Sequence, residues 1–194
     1  MPTVSVAVEG ILDETVVRRV LDELGVEVAT VYVTRGTGKL DQQLSGFNKA
    51  ARHSSWLVLR DLDDAECAPG LKAQLLARPS PGMLFRIAER EVESWLLADR
   101  AGLAKWLSVS LGTVPRDPDR LAEPKAELLR LALKSRLRAV RVGVVRPLPG
   151  GRLAPGPEYN GMLGQFVLEM WQMDVAAQAS PSLARCLRAV RALA

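Results

Sequence analysis

The sequence predicts an α/β fold, a parallel sheet flanked by helices and followed by a C-terminal helical extension. Three observations predict it. Thr3 to Val8 and Val26 to Val33 are Val-rich, strand-like stretches on either side of a segment with helical periodicity. Trp56 to Leu59 is an uninterrupted apolar run that passes through Arg60 into Asp61, Asp63 and Asp64, as suits a central parallel strand covered on both faces. Beyond Asp99 the strand patterning gives way to helical spacing. These shifts set the boundaries at 1–99 for the α/β core and 100–194 for the extension packed on it.

The first strand, Thr3 to Val8, stops at Glu9-Gly10. From Asp13 onward Val16, Val17, Val20, Leu21 and Leu24 share one helical face, with Asp13 and Glu14 at the end that favours anions and Gly25 as the stop. With the strand Val26 to Val33 this makes a right-handed βαβ unit the economical topology. Arg35 to Lys39 reads as a glycine-bearing loop before a polar helix from Leu40 to His53. It is not a nucleotide-binding P-loop, because Val33 and Leu40 stand where that motif needs Gly and Ser or Thr. Lys39 near the helix start is a candidate phosphate contact, against the plainer reading of a solvated loop lysine.

After the acidic strand end come a short helix from Leu71 to Leu76, a turn at Pro79 to Gly82, and a fourth strand, Met83 to Ile87. That strand too runs into acids, Glu89, Glu91 and Glu93. On a helix, positions two apart diverge, so Glu91 and Glu93 are expected not to face one ion if the helix has begun. In the second half, Lys125 to Leu137 is amphipathic, Val140 to Val145 is a candidate strand by its β-branched content, and Arg146 to Pro157 reads as a loop. Tyr159 to Met173 and Pro181 to Leu193 are the last expected helices, the second introduced by Ser180 as N-cap.

Bulk properties narrow the function classes. No apolar run approaches the roughly 18 to 20 residues of a membrane span, and no basic region precedes an apolar signal segment. A cytoplasmic protein without membrane contact is expected. Cys67 and Cys186 lack metal-ligand spacing and the chain has 1 His, which weighs against zinc and haem. The net charge of +4 comes from arginines in the second half, among them Arg130, Arg136, Arg138, Arg141, Arg146 and Arg152. That asymmetry suits a polyanionic partner, and equally a general bias toward Arg.

The acids are the chemical signal. If the first and third strands are parallel neighbours, Glu9, Asp13, Asp61 and Asp63 gather at one sheet edge, where ligands of such sheets bind. Crowded carboxylates raise one another's pKa and are best tolerated around a divalent cation. A solvated Asp-rich turn is the plain alternative.

The pairing of Glu9-Gly10-Ile11-Leu12-Asp13 with Asp61-Leu62-Asp63 resembles the TOPRIM domain of primases, topoisomerases and OLD-type nucleases. Val8 to Glu14, Arg90 to Asp99, Pro124-Lys125 and Ser180 to Leu183 further resemble the DUF4276 family of TOPRIM-like proteins. The resemblance implies a TOPRIM-like, Rossmann-like sheet and a Mg²⁺- or Mn²⁺-dependent phosphodiesterase acting on nucleic acid, in a phage-defence or toxin-like module. Glu9, Asp61 and Asp63 would hold the metal, Asp13, Glu91 or Glu93 would complete one or two sites, and Lys39 would contact phosphate. Two other readings stand beside it. One is a non-enzymatic TOPRIM-like protein working with a partner ATPase. The other is a HAD-like phosphatase with Asp61 as nucleophile and Asp63 as acid, against which Ala65 breaks the usual continuation.

Overall fold

Two strands are mostly buried, and these lie at the centre of the sheet. In the computed structural model, which describes residues 1–193, β1 (Thr3–Val8) and β3 (Ser55–Asp61) are neighbours, with β2 (Glu27–Val33) and β4 (Met83–Ala88) outside them in the order β2-β1-β3-β4. Every pairing is parallel. β3 is buried from Trp56 through Asp61, whereas β4 alternates buried Met83, Phe85 and Ile87 with part-exposed Leu84 and Arg86, and β2 is largely exposed. Continuous burial inside and alternation at the edges is the pattern a helix-covered parallel sheet imposes. The α/β class is therefore as the sequence predicts.

The helices that cover this sheet are α1 (Ile11–Glu23), α2 (Thr37–Ala50) and α3 (Ala68–Leu75). α1 buries Val16, Val17, Val20 and Leu21 on the face read from the sequence. α2 buries Leu40, Leu44 and Phe47, and Phe47 packs with Trp56 and Tyr32 at ring separations of 5.0 and 5.7 Å. It begins at Thr37, three residues earlier than its apolar periodicity starts. Gly36, with φ of 124°, is the reason. Its left-handed backbone lets the chain leave β2 and turn directly into the helix.

By its internal contacts the chain divides into two units, Met1–Glu89 with Ala184–Ala194, and Arg90–Leu183. The division falls before Arg90, whereas the sequence patterning puts it after Asp99. The second unit is mostly helical: α4 (Glu93–Ala98), α5 (Arg100–Leu107), α6 (Pro124–Leu133), α7 (Arg138–Gly143), α8 (Tyr159–Glu169) and α9 (Met173–Ala179). α10 (Pro181–Arg191) begins at its end.

Two expectations fail in this unit. Val140 to Val142 is helical, not extended, because Val140 and Val144 are buried at a helical spacing of four and that burial outweighs β-branched propensity. The expected loop from Arg146 to Pro157 contains a hairpin, β5 (Val145–Pro147) paired antiparallel with β6 (Leu153–Pro155), turned at Gly150 and Gly151 with positive φ.

Three of the segments that suggest the family resemblance, Arg90 to Asp99, Pro124-Lys125 and Ser180 to Leu183, lie in this unit and are linked by hydrogen bonds. Trp95 Nε1–H donates to Ser182 Oγ at 2.7 Å. Ser180 Oγ accepts the Leu183 N–H, capping α10, and donates to Asp119, whose other oxygen accepts the Ser182 N–H. Asp99 caps α5 through the Gly102 N–H at 3.0 Å and accepts the Gln172 N–H at 2.9 Å. The helical stretch therefore breaks at Asp99 into α4 and α5, since a cap residue leaves the helical backbone.

Candidate active site

Parallel pairing of β1 with β3 brings the ends of the two strands together, as the acidic motifs require. Glu9 follows β1 and Asp61 closes β3. The Asp61 N–H donates to Glu9 Oε1 at 3.1 Å. The Thr37 hydroxyl, first in α2, lies 2.5 Å from Glu9 Oε2 and 3.2 Å from Asp63 Oδ2. Asp63 sits in a left-handed turn with φ of 50°, a conformation Asp tolerates better than most residues.

The Thr37 hydroxyl has one proton for two carboxylates. It can satisfy one of them fully, and the second approach sets oxygen against oxygen unless a carboxyl is protonated or a cation enters. Glu9 responds in the expected direction. Burial, its largest influence, pushes its carboxyl above the ordinary value, and the charge of Asp63 adds to this. The Thr37 and Asp61 hydrogen bonds and the Arg60 charge pull the other way.

Arg60 is the cation behind this edge. It is 7% exposed, bonds both oxygens of Asp41 at 3.4 and 3.2 Å, and reaches Asp63 Oδ2 at 3.2 Å and the Asp61 carbonyl. A guanidinium at the end of a buried strand demands such partners, since burying it unpaired is costly. The sequence singles out neither Thr37 nor Arg60 as part of this edge. The signal for Arg60 was present, a cation between the apolar run and the three acids.

The other expected residues of this unit differ in role. Asp61 contributes a backbone N–H to Glu9, and its carboxylate is buried. Asp13 is the third residue of α1, with Gly10 as N-cap, and a Cβ on Gly10 would lie 2.9 Å from Asp13 Oδ2. The glycine thus lets the Asp13 carboxylate fold back over the helix start, a local reason for this spacing. Lys39 is exposed in the first turn of α2. Among the described residues no three His, Cys, Asp or Glu side chains converge as a metal-binding group. What meets on this edge is a carboxylate pair, Glu9 and Asp63, around one hydroxyl.

Glu91 and Glu93 lie in the second unit, in a different setting. α4 starts at Glu93, so Glu91 precedes the helix and the rule that keeps residues two apart from facing one ion does not apply. Both reach one ammonium: Lys125 Nζ is 3.6 Å from Glu91 Oε1 and 3.4 Å from Glu93 Oε1. The Lys125 N–H also donates to Glu91 Oε2 at 2.8 Å, and the Tyr159 hydroxyl to Glu93 Oε1 at 2.7 Å. Burial pushes the Glu91 carboxyl up and the Glu93 charge adds to this, while Lys125 opposes it. A cavity of about 210 Å³ opens beside Glu91, Glu123 and Lys125.

No family model, curated protein or solved structure matches the chain. Among the described residues no helix is long and apolar enough to cross a membrane.

Proposed function

We propose that the chain is a TOPRIM-like, divalent-metal-dependent phosphodiesterase that acts on nucleic acid in the cytoplasm. One observation carries this reading: Glu9 and Asp63, at the ends of the two central parallel strands, crowd a single hydroxyl while burial raises the Glu9 pKa. The donor chemistry fits a hard cation, for all three side chains offer oxygen. Mg²⁺ is commonly held by one or two carboxylates with waters completing its shell. Glu9 and Asp63 would hold it and Thr37 would complete the protein's share. Such an ion neutralises charge on a phosphate oxygen in hydrolysis.

The chain's own residues supply the rest of the setting. Arg60 holds Asp63 through the guanidinium it shares with Asp41. Lys39, exposed at the N-terminal turn of α2, offers a point charge to a phosphate where the helix end already favours anions. In the second unit Arg136, Arg138, Arg146 and Arg152 are exposed, available to a phosphate backbone.

The test is cleavage of single- and double-stranded DNA and RNA with Mg²⁺ or Mn²⁺, beside Glu9→Gln. Metal-dependent cleavage abolished by Glu9→Gln supports the enzyme; cleavage that persists in the variant defeats this assignment. A second reading is favoured by Arg60, which already offsets the charge of Asp63. In it the protein binds its partner, such as an ATPase, without turnover. Metal binding with no cleavage of any of the four substrates would select it.

A further inference from the structure

Away from the acidic edge, the first unit contains a cavity of about 330 Å³ between α3 and β4. Its apolar walls come from Leu76, Pro79, Met83 and Phe85, and its polar lining is limited to two cations, Lys72 and Arg86. Among the described residues neither cation has a carboxylate partner. Arg86 Nε is buried without a hydrogen-bond partner, a state native proteins seldom leave unresolved. A third cation, Arg185 of α10, adds its charge at Lys72, and its own pairing with Glu89 is a long 3.9 Å contact.

We propose that this cavity binds a small amphipathic carboxylate, its apolar body against Leu76, Met83 and Phe85 and its charge between Lys72 and Arg86. The lining selects this class. Pockets of this kind use an apolar surface for affinity and a few polar groups for orientation. No Ser, Thr, Asn or Gln lines the wall, so a sugar or a nucleobase would bury donors and acceptors without partners. A charged head with a plain hydrocarbon or aromatic body leaves nothing unmet. It also gives the Arg86 N–H an acceptor.

The same geometry makes binding depend on pH. Burial, then the charges of Arg86 on β4 and Arg185 on α10, lower the Lys72 pKa to about 8, and the buried Cys186 thiol on α10, pushed up to about 12, stays neutral below that. A bound carboxylate favours the charged amine, so affinity falls as pH rises through this value.

Titration calorimetry of the full chain with octanoate tests the proposal, with octylamine and inorganic phosphate as comparison probes. Octanoate is expected to bind, the other two not, and Lys72→Met and Arg86→Met each to weaken octanoate at least tenfold. Absence of octanoate binding, or equal affinity in both folded variants, overturns the proposal. Acetic anhydride labelling of the unmutated chain at pH 8 gives an answer without any variant. Saturating octanoate should protect Lys72 and leave exposed Lys49 unprotected; unchanged labelling of Lys72 overturns the proposal.

Discussion

Two acidic pairs in this chain look alike as residues and differ in what holds them. Glu91 and Glu93 share the Lys125 ammonium, and a tyrosine hydroxyl and a backbone N–H complete the set. Glu9 and Asp63 share one hydroxyl, and the Arg60 guanidinium bonds the same Asp63 oxygen that this hydroxyl faces. The first arrangement brings its own cation between the charges. In the second the cation bonds one carboxylate, Asp63, and acts on the other, Glu9, through its charge. A carboxylate cluster therefore suggests a metal only after its internal cations have been counted, since a lysine within reach relieves the same repulsion.

The largest effect expected from this contrast is on stability. Lys125→Met leaves Glu91 and Glu93 facing each other at low exposure, and should cost about 2 kcal/mol in urea unfolding at neutral pH. That is below the usual range for breaking a buried pair because the lysine is partly exposed. Glu93→Gln in the same background should recover part of the loss. A cost near zero would mean that the ammonium is incidental and would erase the difference between the two pairs.

Next is metal affinity. Glu9→Gln should weaken Mn²⁺ binding by about tenfold or more, roughly 1.4 kcal/mol, and Glu91→Gln should leave it unchanged in calorimetry. Equal losses from both would place the second pair in the metal site as well. Smaller again is the salt response: the log–log slope of oligonucleotide binding against salt should fall by about one unit for each phosphate-contacting arginine removed. Arg136→Ala and Arg152→Ala can be compared with Arg130→Ala, whose guanidinium is already paired with Glu127 at 2.8 Å.

The smallest effect is a pH dependence. Glu9 and Glu91 both have folded-state pKa values above 4.5. The native chain therefore holds more protons than the unfolded chain between 4.5 and the raised values, and stability falls as pH rises through that window. Glu9→Gln should remove its share of this slope and leave the apo protein as stable as the parent, or slightly more so, at neutral pH. A clear loss of stability would identify the carboxylate as a structural acceptor that an amide cannot replace.

The strands were legible because their reason is local. Trp56 to Leu59 is apolar at every position, and only a central strand or a buried helix accommodates that. Val140 to Val145 misled because its signal was propensity alone, which packing readily overrides. Thr37 was hidden by a loop that is in fact the start of α2, and its function exists only because β1, α2 and β3 converge on it. Arg60 was visible as an anomaly, but its partner Asp41 lies 19 residues earlier on another element.

By itself, then, the sequence determined the α/β class, the third strand as a central one, and that Glu9 and Asp61 end the first and third strands; that these two strands are parallel neighbours was decided by the fold. Periodicity and turn chemistry act over a few residues and are written in the residues themselves. Only the tertiary structure decided that Asp13 folds back over its own helix start, that Asp61 offers Glu9 its N–H, and that Lys125 stands between Glu91 and Glu93. The reason is electrostatic. A carboxylate's pKa and partners depend on charges and burial a few ångströms away in space, and those neighbours come from elements far apart in the chain.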